Sequence, residues 1–170
     1  MKLLAELNDF LLDIGPIPTL GEKYTLRKSA RVILLNEAGE MAGQYLRAHD
    51  FHKLPGGGVD AGETVEAAAH REVMEEVGAT MKITRQLGAV IEYRAEYKLL
   101  HISYGFVGEV VGELRSPTLE EAEIAEGTET IWLPPEDFLA KMKADTPSTY
   151  SSHFILPREI AFLEEFLKPQ

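Results

Sequence analysis

The chain has 170 residues, with 17 Lys and Arg against 28 Asp and Glu, for a formal net charge of -11. That length fits one domain with a substantial core, and the negative field disfavours nucleic-acid polymers and anionic membranes as partners. Cysteine is absent, which excludes disulfides, thiolate metal sites and thiol nucleophiles and agrees with a reducing cytoplasmic setting.

Leu3, Leu4, Leu7, Phe10 and Leu11 recur at helical spacing, so residues 2–13 read as an amphipathic helix ended by Gly15-Pro16. Its charges at Glu6, Asp9 and Asp13 exclude a membrane span. It is expected to act as a lid or a homodimer contact. Residues 27–35 and 41–47 read as two strands joined by an Asn36-Gly39 turn. The following loop, 48–60, carries His52, Lys53, Leu54, Pro55 and three consecutive glycines. A helix then starts at the N-cap Thr64 and stops at Gly78.

Two long strands follow over 83–95 and 99–112, and Trp132 lies in a short strand. Pro135 and Pro157 mark the first turns of helices over 136–143 and 158–168. Strands on both sides of a central helix predict an α+β sandwich. The expected organisation is an N-terminal helical extension (1–25) and a main domain (26–170).

The central helix carries Arg71, Glu72, Glu75 and Glu76. At about 100° per residue the three carboxylates fall within an arc of roughly 100°. Like charges at this spacing destabilise a helix, and a bound cation reverses that effect. An acidic surface face is the bland reading of such a run. Two features argue for a site. The row Val65, Ala69, Val73 and Val77 is centred about 90° from the acids, which places them at the margin of the buried face. In addition, Gly56-Gly57-Gly58 feeds the helix and allows close backbone approach to a ligand, with Gly58 as a substrate-binding candidate.

The spacing is Gly57, five residues, Glu63, seven residues, then Arg71-Glu72-Val73-x-Glu75-Glu76-x-Gly78. This resembles the Nudix box of the Nudix hydrolase superfamily. Its last position, usually a larger aliphatic, is Ala79 here. The resemblance implies an α/β/α sandwich with a mixed sheet, here with the N-terminal and C-terminal helices added. It implies hydrolysis of a nucleoside diphosphate linked to another moiety. Glu72, Glu75 and Glu76 are then expected to hold Mg²⁺, or Mn²⁺, with the carbonyl of Gly56 or Gly57 as a further ligand. Arg71 is expected to orient a box carboxylate, and Glu63 to position the helix from behind. The base is Glu72, Glu76 or a glutamate before Trp132; among Glu120, Glu121, Glu123, Glu126 and Glu129, the reading favours Glu126 or Glu123.

Arg47 and Lys53 are candidate phosphate-binding cations. The tyrosine that some diadenosine polyphosphate hydrolases carry beyond the box falls at Tyr97. Nucleoside triphosphates, including oxidised ones, rank first as substrates. ADP-ribose, diadenosine polyphosphates and a non-catalytic nucleotide-binding module are the alternatives. Isopentenyl-diphosphate isomerisation is disfavoured by the missing cysteine, and messenger-RNA decapping by the missing basic groove.

Overall fold

The computed structural model describes residues 1–16, 21 and 23–169. Positions 17–20 and 22, which belong to the expected N-terminal extension, lie outside the described residues. In chain order the strands are β1 (Leu3–Asn8), β2 (Thr25–Leu35), β3 (Met41–Leu46), β4 (Phe51–Lys53), β5 (Thr80–Arg94), β6 (Leu99–Val111) and β7 (Thr128–Leu133). The helices are α1 (Val65–Val77), α2 (Glu121–Glu126), α3 (Pro135–Ala144) and α4 (Tyr150–Leu167).

The strands form one mixed sheet of order β1-β5-β6-β2-β3-β4, with β7 also paired to β3. β6 is antiparallel to β5 and parallel to β2. Alternation along β2 divides the core. Ala30, Val32 and Leu34 meet α1 through Ala68, Ala69, Val73 and Val77. Ile33 faces the other way, with Val90 and Val107, towards Phe138 and Met142 of α3 and Phe162 and Leu163 of α4. The result is a mixed sheet between helical layers, as the sandwich reading expects.

The expected N-terminal helix is corrected: residues 3–8 form a strand parallel to β5, pairing Leu3 with Ala89 and Asn8 with Tyr93. Short apolar runs are ambiguous between helix and strand. Here the open edge of β5 supplies backbone partners that a single short helix lacks, and Leu4, Ala5 and Leu7 still reach the core.

The last helix is also corrected. It begins at the N-cap Thr149, not at Pro157. Thr149 Oγ1 accepts from Ser152 N–H at 3.1 Å, and Ser152 Oγ accepts from Thr149 N–H at 2.9 Å. Pro157 sits inside the helix. The capped start and the apolar residues Phe154 and Leu156, buried beneath it, outweigh the lost N–H of one proline. Strand β4 and helix α2 occupy segments read as loops.

Candidate active site

Helix α1 is fixed at both ends. Thr64 Oγ1 accepts from Ala67 N–H at 3.1 Å, and Gly78, with φ 72°, caps the other end by donating to the Met74 carbonyl. The carbonyl of Glu76 accepts from Thr130 Oγ1 at 3.0 Å and Gln44 Nε2 at 3.3 Å, which ties the acidic turn to β3 and β7. The glycine loop takes the place of a strand beside β2. Val32 N–H donates to the Pro55 carbonyl and Ala30 N–H to the Gly57 carbonyl, both at 3.0 Å.

Loop and helix border a cavity of ≈ 360 Å³ whose walls include Glu72, Glu75 and Glu76. Arg27, Arg31, Lys53 and Arg71 supply its cations, and Asp60, Glu120 and Glu123 its remaining acids. A wider groove of ≈ 630 Å³ passes Lys28, Asp60 and Glu63. It lacks Glu72, Glu75 and Glu76, so the smaller cavity is the candidate site.

Arg71 organises one wall. Its NH1 donates to Glu72 at 2.8 Å and Glu75 at 3.0 Å, its NH2 to the Gly58 carbonyl at 2.8 Å, and its Nε to Glu63 at 3.1 Å. These bonds, that to Glu63 foremost, hold the guanidinium in its charged form. Glu63 therefore acts on the box acids through Arg71. Burial raises the Glu72 carboxyl above its ordinary value, against the opposing pull of Arg71.

Glu76 is almost fully buried. It accepts from Gly56 N–H at 2.5 Å and from Lys53 Nζ at 3.3 Å. Burial nevertheless pushes its carboxyl up to about 7, and the neighbouring Glu123 pushes the same way.

A second buried cluster lies on the α4 face of the sheet. Arg31 Nε donates to Glu159 at 3.0 Å, Arg158 bridges Glu159 and Glu92, and Arg94 and His101 also bond Glu92. Burial would raise Glu92, but Arg158 together with His101 and Arg94 brings it down to about 2. Burial lowers His101 to about 4, so the ring is neutral at pH 7. Its Nδ1–H then donates to Glu92 and its Nε2 accepts from the Ser29 hydroxyl, both at 3.0 Å.

Of the residues singled out in the sequence, Lys53, Gly57, Gly58, Arg71, Glu72, Glu75 and Glu76 border the cavity. Glu126 ends α2 beside His49, outside the cavity walls, whereas Glu123 of the same helix reaches them. Arg47 turns away to Glu129. Tyr97 packs on Tyr150 at the β5–β6 turn, half-exposed. Arg27 and Arg31 were not singled out. The signal for them was the polar row Arg27, Ser29, Arg31 at alternate positions of an otherwise apolar strand.

Among the described residues no three acidic or histidine side chains are already drawn together around an ion position; Arg71 instead bridges Glu72 and Glu75, and Lys53 engages Glu76. The donor set nonetheless fits a hard divalent cation, being entirely carboxylate oxygen. The lack of a Gly57 side chain creates the room: a Cβ there would overlap the Glu72 carboxylate.

Residues 25–153 match the family model described as NUDIX domain. The chain belongs to the Nudix family. It is 36% identical over 73 residues to an RNA pyrophosphohydrolase of Actinobacillus pleuropneumoniae serotype 5b, a match covering 43% of this chain and 35% of the relative. It is 35% identical over 85 residues to an 8-oxo-dGTP diphosphatase of Haemophilus influenzae, covering 48% and 62%. The chain thus spans about a third of the first relative's length and under two thirds of the second's.

A MutT protein from Methanosarcina mazei Go1 shares the fold with TM-score 0.57 at 22% identity, over 87% of this chain and 100% of that one. A NUDIX hydrolase from Nitrosomonas europaea gives 0.59 at 16% identity, over 86% and 98%.

Proposed function

We propose that this protein hydrolyses a phosphoanhydride bond in a nucleoside diphosphate linked to another moiety. A nucleoside triphosphate or its oxidised form ranks first. The observation that carries the reading is that Glu72, Glu75 and Glu76 line one cavity together with Lys53 and Arg71. The names of the two relatives, a pyrophosphohydrolase and a diphosphatase, support the reaction class.

In this reading Glu72, Glu75 and Glu76 hold Mg²⁺, or Mn²⁺. When bound, the ion neutralises the phosphates and lowers the pKa of a coordinated water. Arg71 keeps Glu72 and Glu75 aimed into the cavity. Lys53 supplies positive charge beside Glu76 for an incoming phosphate. Glu76, or the neighbouring Glu123, accepts the proton as water attacks phosphorus and the bridging P–O bond breaks. Among the glutamates before Trp132 we assign the outer base to Glu123 rather than Glu126, because Glu123 lines the cavity and Glu126 does not, and because Glu123, unlike Glu120, neighbours Glu76 closely enough to push its carboxyl up. Arg47 and Tyr97 take no part.

The cytoplasm is the proposed setting. The exposed Leu3, Phe10 and Leu11 beside edge strand β1 support a proposed homodimer. A second reading, removal of phosphates from a triphosphorylated RNA end, is favoured by the name of the first relative. The net charge of -11 restricts it to contacts at the end of the strand.

The test is a screen of nucleoside triphosphates, 8-oxo-dGTP, ADP-ribose, diadenosine polyphosphates and triphosphorylated RNA. Phosphate or pyrophosphate release is measured in Mg²⁺ and in Mn²⁺, with Glu76→Gln as control. Release lost in the variant supports the reading. Nucleotide binding without release in either metal would make the protein a non-catalytic module.

A further inference from the structure

Four cations reach the catalytic cavity, and three are already engaged. Arg71 is held by four acceptor residues, Lys53 by Glu76, and Arg31 by Glu159 and the Ala30 carbonyl. Arg27 differs: among the described residues it has no ion-pair or hydrogen-bond partner.

Its position is defined. The guanidinium lies over the glycine loop, where a Cβ on Gly58 would sit 3.5 Å from NH2. The Gly58 carbonyl is bonded to Arg71 on the other side, so two guanidinium groups flank one glycine. Arg27 also stands in register with His101 on β6, and His101 with Glu92 on β5. The row therefore leads from the cavity mouth into the buried cluster. That cluster sets three guanidinium groups, Arg31, Arg94 and Arg158, against two carboxylates, Glu92 and Glu159, while His101 is neutral. Its surplus is one positive charge. Burial lowers Arg94, and the positive charges of Arg158 and Arg27 push the same way. In a chain of net charge -11, an unpaired arginine backed by this surplus is a local anion attractor.

We propose that Arg27 binds a third phosphate of the substrate and so selects a triphosphate chain over a diphosphate bridged to a sugar. This rests on the hydrolase reading above and narrows its substrate class. The acids and Lys53 take the two phosphates flanking the scissile bond. The next phosphate along the chain lies over Gly58 and accepts paired N–H donors from the Arg27 fork. A neutral sugar at that place offers the guanidinium no charge, and Arg27 gives it no advantage.

Calorimetric titration of the intact protein with inorganic tripolyphosphate and with pyrophosphate, without metal and with saturating Mg²⁺, tests this directly. Wild type should bind tripolyphosphate about tenfold more tightly than pyrophosphate, the worth of one charge-assisted contact. Arg27→Gln should cut that margin to about twofold, and Arg27→Lys should restore part of it. In the nucleotide screen, the KM for a triphosphate should rise about tenfold in Arg27→Gln, while ADP-ribose shows no such rise. Melting curves confirm that the variant at this exposed position folds.

A tripolyphosphate preference that survives in Arg27→Gln, or its absence in wild type, overturns the assignment. If wild type cleaves no nucleotide yet shows a preference that Arg27→Gln removes, the hydrolase reading fails and the phosphate site stands.

Discussion

Lys53 Nζ lies 3.3 Å from Oε1 of Glu76, a carboxyl that burial nonetheless pushes up to about 7. One ammonium does not compensate for the desolvation of this group. The charged form of Glu76 is therefore a costly arrangement that a divalent cation would relieve.

The first prediction follows from that cost. Glu76→Gln keeps an oxygen to accept from Gly56 N–H and removes the buried charge. The melting temperature should stay within about 3 °C of wild type or rise. Hydrolysis should fall by at least about a hundredfold. Phosphate-release assays beside thermal melts check both; near wild-type turnover would remove Glu76 from the ion-holding set.

Gly57→Ala tests the room the loop leaves for Glu72. The added methyl would overlap that carboxylate, a movable side-chain end that Arg71 otherwise holds. The expected result is a shift of a few degrees at most in melting temperature and a drop of about tenfold or more in Mn²⁺ affinity. Titration calorimetry measures the affinity. Unchanged binding would show that Glu72 is not positioned by this contact.

The cluster around Glu92 predicts acid lability. His101 is lowered from 6.5 to about 4, so between those values the unfolded chain binds a proton that the folded one does not. The His101 contribution to stability is full above pH 6.5 and falls as pH drops through that window. Glu92, lowered from 4.5 to about 2, continues the loss over its own window in the same direction. His101 alone should cost on the order of 3 kcal/mol between pH 7 and 4; the raised Glu76 carboxyl opposes it between pH 7 and 4.5, so urea melts are read in a Glu76→Gln background. His101→Gln should flatten the 6.5-to-4 part, and an equally steep profile in that variant would contradict the assignment.

Asp9, buried just beyond β1, tests how the amino-terminal segment is fastened. Its carboxylate accepts from Tyr150 Oη at 2.8 Å and Ala95 N–H at 3.0 Å. Asp9→Ala should cost about 2 kcal/mol of stability while leaving Mn²⁺ affinity unchanged. Chemical denaturation and metal titration of the same preparation check the pair of outcomes.

The box and its helix were legible because their constraints are local. The Thr64 cap, the Gly78 stop and the spacing of Arg71 to Glu76 all fall within one segment. Glu63 and Gly58 both bond to Arg71, contacts that the spacing alone does not give. What lay beyond reach depended on distant partners. Residues 3–8 carry helical periodicity, yet the edge of β5 decides their form. The glutamates before Trp132 look alike in sequence, and only the formation of α2, with its Glu120–Glu123 capping box, separates Glu123 from Glu126. Arg27 and Arg31 gained meaning from the loop paired beside β2. Arg158 and Glu159 follow Pro157, which looked like a helix start and concealed a buried mid-helix pair.

The parallel pairing of β1 with β5 has a consequence for biosynthesis. Leu3 finds Ala89 only across an intervening stretch that includes the whole acidic helix. During translation the leading strand must wait, unpaired, until the ribosome has released β5. Leu3, Leu4 and Leu7 are open to chaperones or to wrong neighbours throughout that interval. Slowing synthesis between codons 9 and 94 should therefore lengthen the period in which the nascent chain is prone to aggregate.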